Sequence, residues 1–166
     1  MNNQINLTQI AKNALNSLIN DAKIGDESRV TALWNTILPK FNITLDNGYS
    51  INAEFPINDG IDNYRADIVV LNILKNNKVI LIIECKSIKH DNIINWDVAC
   101  SQLSNYLFHL NCNHGIIAVG HKFRFIKKEN NYIPNVNSLH EYIWSSDLNY
   151  INDIYNKFVD FLNSDD

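Results

Sequence analysis

The sequence predicts an α/β protein: a mixed central β-sheet flanked by helices on both faces, in the order ααβββαββα. Three observations support this. Apolar residues recur at helical spacing in two stretches near the start and one at the end, while the middle of the chain holds apolar runs of strand length. The strand pair within residues 66–87 is apolar on both faces, and a sheet of that kind needs helices on each side. The chain of 166 residues is one domain's worth and long enough to bury a core, so a single domain over residues 1–166 is expected.

Each element has its own signal. Leu7, Ile10, Ala11, Ala14, Leu18 and Ala22 place a first helix over residues 5–23. Asp26 caps a second helix whose apolar face is Val30, Leu33, Trp34, Ile37 and Phe41, with Pro39 at its fraying end. "SINAEFPI", residues 50–57, alternates as a strand does. "ADIVVLNILKNNKVILIIECKS", residues 66–87, reads as two strands joined by Asn76-Asn77, because Asn tolerates the positive φ of a two-residue hairpin turn. A helix follows from about Ile93 to Leu110, then a buried strand "GIIAVG" at 115–120 with "KFRFIKKENNYI" folding back from it as a hairpin. Leu148, Ile151, Tyr155, Phe158 and Leu162 give the closing helix.

Composition narrows the function classes. Three cysteines without CxxC spacing argue against a disulfide framework and for a reducing compartment, so cytoplasmic localisation is expected. The start of the chain lacks the charged and apolar blocks of a secretory signal, and the longest apolar run, Val79 to Ile83, is too short to cross a bilayer, so no membrane partner is expected. A net charge of −4 speaks against a nonspecific nucleic-acid binder. The sign is uneven, however: residues 61–130 hold nine bases and six acids, whereas residues 131–166 hold one base and six acids.

Asp67, Glu84 and Lys86 interrupt that apolar strand pair. If Asn76-Asn77 is the whole loop, Lys75 pairs with Lys78, Asp67 lies opposite Lys86 and Val69 lies opposite Glu84. Alternation then points Asp67, Glu84 and Lys86 to one face. Directly opposed residues sit roughly 5 Å apart at Cβ and diagonal ones roughly 7 to 8 Å. The same face continues with Leu71, Ile73, Ile80 and Ile82, and the other carries Ile68, Val70, Val79, Leu81, Ile83 and Cys85. Two carboxylates brought together in an apolar setting repel unless a cation sits between them, and a hard divalent ion with oxygen ligands suits the pair. The plainer alternative is a strand-edge acid with a lysine blunting an exposed edge.

Asp67, then Glu84-Cys85-Lys86, then a helix carrying Gln102-x-x-x-Tyr106, resembles the PD-(D/E)XK nuclease superfamily, and most of all the N-terminal nuclease domain of type I restriction enzyme R (HsdR) subunits. The likeness runs through "DESRVTALWNTILPKF", "INAEFPI", "RADIVVL", "VILIIECKS", "CSQLSNY" and "HGIIAVGHKFRF" in the family's order. Ala66 replaces the proline that names the superfamily. The resemblance implies a restriction-endonuclease-like fold. It also implies Mg²⁺ or Mn²⁺ on Asp67 and Glu84, with the Cys85 carbonyl and the first-helix acid Glu27 as further ligands, and Lys86 beside the attacking water. In the same way Gln102 and Tyr106 would sit beside the site, as a catalytic and DNA-contacting pair.

Glu27 has an equally good reading as an acid at a helix N-terminus, and Glu54 as a surface residue. Lys89, Lys122 and Arg124, with His121, Lys127 and Lys128, are candidate phosphate contacts or the wet face of an edge hairpin. Cys100, His109, Cys112 and His114 match no zinc spacing. "GIIAVGHK" is no phosphate loop, since His121 and Phe123 stand where Lys and Ser or Thr belong. Restriction subunits of this kind continue into a helicase motor, and none is expected within these residues. The expected function is a metal-dependent endonuclease that hydrolyses DNA. It would work as a homodimer or larger homo-oligomer, because cutting both strands needs two sites. The alternatives are a catalytically silent binding module of the same fold, and a nuclease acting on branched DNA or RNA.

Overall fold

Six strands lie side by side in chain order in one mixed sheet, β1-β2-β3-β4-β5-β6. The computed structural model of the protein describes residues 4–58, 63–88, 96–130 and 132–164. Its elements are α1 (Gln9–Ile24), α2 (Glu27–Lys40), β1 (Tyr49–Asn58), β2 (Asn63–Asn72), β3 (Lys78–Lys86), α3 (Trp96–His109), β4 (His114–Val119), β5 (Lys122–Lys127), β6 (Tyr142–Ile143) and α4 (Leu148–Leu162). The expected order is present, with the two-residue β6 added at the sheet edge. β3 and β4 are parallel and are joined through α3, as a parallel pair requires. The other neighbours are antiparallel.

Helices cover both faces. α1, α2 and α4 bury Leu15, Ile19, Leu33, Trp34, Ile154 and Phe158 against Ile68, Val70, Leu81, Ile83 and Ile116. On the other face α3 buries Trp96, Ala99, Leu103 and Leu107 against Val69, Ile82 and Ile117. Trp34 anchors the first layer, with its ring edge-on to Phe123 at 5.1 Å and to Trp144 at 5.2 Å. α1 starts later than the sequence predicts. Thr8 caps it by accepting the Ala11 N–H, while Ile5 leaves the helix axis to donate its N–H to Asn152 on α4. Its buried stripe is Leu15, Ile19 and Ala22, and Ile10, counted in the predicted stripe, is 81% exposed.

The strand register differs from the predicted one in three ways that matter for the site. First, β2 and β3 are joined by residues 73–77: Asn72 pairs with Lys78, a 3-10 turn fills Ile73–Lys75, and Asn76 and Asn77 both take left-handed φ of 55° and 57°. The Asn pair does make the turn, but it is not the whole loop, so the ladder is displaced and Ile68 faces Ile83. Second, a bulge between Val70 and Leu71 makes Ile80 the extra residue. Val79 and Ile80 therefore exchange faces relative to the simple alternation: Val79 packs on the α3 side and Ile80 on the other.

Third, Glu54 on β1 has φ 52°, a left-handed conformation for a residue with a side chain. Ile51 packs on the α1/α2/α4 side, whereas Phe55 and Ile57 pack on the α3 side, so the faces of β1 switch there. β2 switches in step: Ile68 packs on the first side and Ala66 on the second. The paired residues Ala53↔Ile68 and Phe55↔Ala66 place the break at Glu54 and Asp67, the two residues between these pairs.

Two outcomes test this packing. Trp34→Ala should lower stability by about 3 to 5 kcal/mol in urea titration, while Ile10→Ala changes it by less than about 0.5 kcal/mol. Glu54→Gly should raise the urea midpoint, by an amount equivalent to about 1 kcal/mol, because glycine adopts that φ without penalty.

Candidate active site

The β2–β3 ladder ends at Ile68↔Ile83. At the next residue the Asp67 carboxylate, not a β2 carbonyl, takes the Cys85 N–H, with Oδ2 at 2.6 Å. The neighbouring Lys86 turns its backbone the other way: its carbonyl accepts the Gly120 N–H at 2.9 Å from the β4–β5 turn. Backbone groups alternate sides along a strand, so the Cys85 carbonyl opens into the same gap as Asp67. Its thiol lies on the opposite face beside Thr31 of α2, buried, and burial pushes it well above its usual range, so the thiol takes no part in this chemistry.

Glu84 shares the α3-side face with Ile82 and is 2% exposed. Its Oε1 accepts from the Lys86 ammonium at 2.6 Å, and its Oε2 is buried with no hydrogen-bond partner among the described residues. Burial, and then the charge of Asp67, push Glu84 up to about 7, against the pull of Lys86. Burial raises Asp67 as well, against the opposing Cys85 N–H and Lys86, with Glu27 and Glu54 adding to the rise. For Lys86, burial alone would lower the ammonium, but its bond to Glu84 and the surrounding acids carry it upward. Tyr106 is buried on α3 over this group, and desolvation followed by the Glu84 charge pushes its hydroxyl to about 12.

The predicted trio therefore meets on one patch, although Asp67 lies across from Glu84 and not from Lys86. The discrepancy is two residues, and an even shift leaves the faces unchanged. Glu27, in the first turn of α2, places Oε1 at 3.7 Å from the Lys86 ammonium and is half exposed. Glu54 points its charge toward Asp67 and pairs loosely with Arg65 at 4.0 Å, both largely exposed. Gln102 is exposed on α3, one turn before Tyr106.

The basic candidates fall elsewhere. Arg124 is nine-tenths buried: it donates to the Val136 carbonyl, reaches Glu141 at 3.5 Å and lies 4.2 Å over the Trp96 ring. Lys122 is held by Glu141 at 3.0 Å. Lys128 is buried with its ammonium on the Leu107 carbonyl. Lys89 lies outside the described residues. Glu141, the partner of Lys122 and Arg124, carries no motif and was not legible in the sequence. Gly120 was visible only as a strand boundary. In the fold it has φ 60°, and a Cβ there would come within 2.5 Å of Ile88, so only glycine lets the turn close on the end of β3.

Residues 46–140 match the sequence profile described as the type I restriction enzyme R protein N terminus. The chain belongs to that family. The matched span contains Asp67, Glu84, Lys86, Gln102 and Tyr106, and leaves α1 and α2, with Glu27, outside it. No curated protein sequence matches the chain. Among solved structures, the type IIG restriction endonuclease BpuSI superposes with a TM-score of 0.53 at 15% identity, over 99% of this chain and 19% of that one. The chain thus spans about a fifth of that enzyme's length, and at this identity the likeness speaks for the fold alone. No helix among the described residues is long and apolar enough to cross a membrane.

Among the described residues no three His, Cys, Asp or Glu side chains are grouped to hold a metal. Two carboxylates and a backbone carbonyl remain, and a hard cation that keeps several waters needs no more protein ligands than that. The orphaned Glu84 Oε2 and the open side of Asp67 are oxygen donors of the right kind, so the residues fit such an ion.

The raised Glu84 has a measurable consequence. The folded chain holds a proton near pH 6 that the unfolded chain has released, so this contribution to stability is complete below about 4.5 and disappears as pH rises through about 7. In EDTA, the wild type should lose stability relative to Glu84→Gln across that window, by a few kcal/mol. Paired urea melts at pH 4.5, 6 and 8 check this, and parallel curves would contradict it.

Proposed function

We propose that the chain is a divalent-metal-dependent endonuclease domain that hydrolyses DNA phosphodiester bonds. The observation that carries this reading is the facing pair Asp67 and Glu84 at the point where β2 and β3 stop pairing, with a buried carboxylate oxygen unpartnered among the described residues and a lysine two residues further along β3. Membership of a restriction-enzyme family supports it, as does the restriction-endonuclease fold.

Asp67, Glu84 and the Cys85 carbonyl would hold Mg²⁺ or Mn²⁺. The ion would supply Lewis-acid polarisation of the phosphate and a more acidic water. The chain's own residues do the rest. Lys86 presents an ammonium on the face that meets substrate, where it orients the attacking water and offsets the negative charge that builds on the phosphate oxygens. The water oxygen bonds to phosphorus and its proton passes to solvent, while the bond from phosphorus to the leaving sugar oxygen breaks, its electron pair stays on that oxygen, and the oxygen takes up a proton from solvent. Tyr106 closes the site on the α3 side and keeps bulk water from the two carboxylates, while Gln102, exposed one turn earlier, is placed to touch the nucleic acid. Severing both strands of a duplex calls for two such sites, so the active form is a homodimer or larger homo-oligomer.

Incubation with plasmid, single-stranded and branched DNA, and with RNA, should show cutting of DNA that needs Mg²⁺ or Mn²⁺ and stops in EDTA. Asp67→Ala and Lys86→Ala should each reduce the rate by at least about a hundredfold. Cutting that survives both substitutions would remove these residues from the chemistry. Absence of cutting on every substrate, with no metal binding, would leave a binding module of the same fold.

A further inference from the structure

Two carboxylates compete for the Lys86 ammonium. Glu84 Oε1 holds it at 2.6 Å, and Glu27 Oε1 waits at 3.7 Å from the far side, on the first turn of α2. No other ion pair to this ammonium is found among the described residues. The two acids sit in opposite settings: Glu84 is 2% exposed and Glu27 is 51% exposed. Lys86 itself is about a quarter exposed.

We propose that Glu27 is a positioning residue for Lys86 and not a metal ligand: it receives the ammonium when Lys86 leaves Glu84. The inference rests on the metal-dependent reading above. As the structure stands, Lys86 neutralises the very carboxylate that a divalent ion would need. A divalent ion on Glu84 Oε2 would repel the ammonium on Oε1 across the same carboxylate and loosen that hydrogen bond. A freed ammonium in a half-buried site needs a new anion close by, and Glu27 is within a side-chain rotation of it. Held there, Lys86 faces the gap from the α2 side, separated from the ion and able to act on water. Glu27 lies in the first turn of α2, where the helix dipole attracts a carboxylate.

The test separates this from direct ligation. Mn²⁺ titration followed by electron paramagnetic resonance measures ion affinity without turnover. Glu84→Gln should weaken Mn²⁺ binding by more than about tenfold, whereas Glu27→Gln should stay within about threefold of wild type, the effect of one exposed charge. At saturating Mn²⁺, Glu27→Gln should lower kcat by roughly tenfold or more with KM for DNA little changed, and Glu27→Asp should recover part of it. A crystal structure with Mn²⁺ bound should show the Lys86 ammonium on Glu27 and no Mn²⁺–Glu27 contact. A Glu27→Gln affinity loss as large as that of Glu84→Gln, or Lys86 still seated on Glu84 with Mn²⁺ bound, would overturn the inference. Wild-type protein that binds no Mn²⁺ would overturn the metal reading itself, and this inference with it.

Discussion

One hydrogen bond decides where this site can exist: the Asp67 carboxylate on the Cys85 N–H. Within a sheet that N–H would go to a carbonyl of the neighbouring strand, and a buried N–H left without a partner is costly. By taking it with a side chain, Asp67 lets β2 and β3 part without leaving the donor unsatisfied. The same bond fixes one oxygen of the Asp67 carboxylate. The Glu54 kink across the sheet is the matching device on β1: both strands switch faces at this level, and that switch brings a polar residue to a place where alternation would have put another apolar one. Backbone strain at Glu54 and the buried acids cluster within one row of the sheet, as strained and destabilised groups do at functional sites.

The two carboxylates are unequal because their surroundings are. Asp67 has a backbone donor, whereas Glu84 has a lysine on one oxygen and, among the described residues, nothing on the other, with α3 and Tyr106 excluding water. Desolvation therefore lifts both, and Glu84 furthest. In the proposed role this is a site that is electrostatically incomplete by itself: Asp67, Glu84 and Glu27 outnumber Lys86, and the surplus negative charge is what a divalent cation would satisfy.

Much of this was legible in the sequence because parity is robust. Asp67, Glu84 and Lys86 are separated by an odd and then an even step, and any hairpin register differing by two residues keeps all three on one face. The loop length was misjudged, yet the trio still converged. Parity fails where residues are inserted: the bulge opposite Val70 and Leu71 exchanged Val79 and Ile80, and no composition signal marks it, because all the residues involved are apolar. Glu54 was legible only as an acid on a strand, since nothing in "INAEFPI" announces a left-handed residue. The helices were read well where burial is one-sided, as in α2 and α4. α1 was read with its stripe turned, because Ile5 and Leu7 are apolar for a different reason: they pack as an extended segment near α4.

The basic middle of the chain shows why charge counted along a sequence is a poor guide to a nucleic-acid surface. Residues 122–128 hold four of the nine bases of that third, and the fold spends them internally. Lys122 and Arg124 share Glu141, Arg124 also stacks on Trp96, Lys128 caps the carboxyl end of α3, and Lys127 holds the Ser164 carbonyl near the end of α4. Each of these contacts ties the β5 hairpin to an element it must support, and a guanidinium so placed is unable to reach a phosphate without breaking the fold. Among the described residues, the cations that remain beside the acids are Lys86 and, across the Glu54 kink, Arg65. In the proposed function, then, a bound ion does double duty: it is the chemical group that polarises the phosphate and also the charge that lets an acidic pocket receive a polyanion at all.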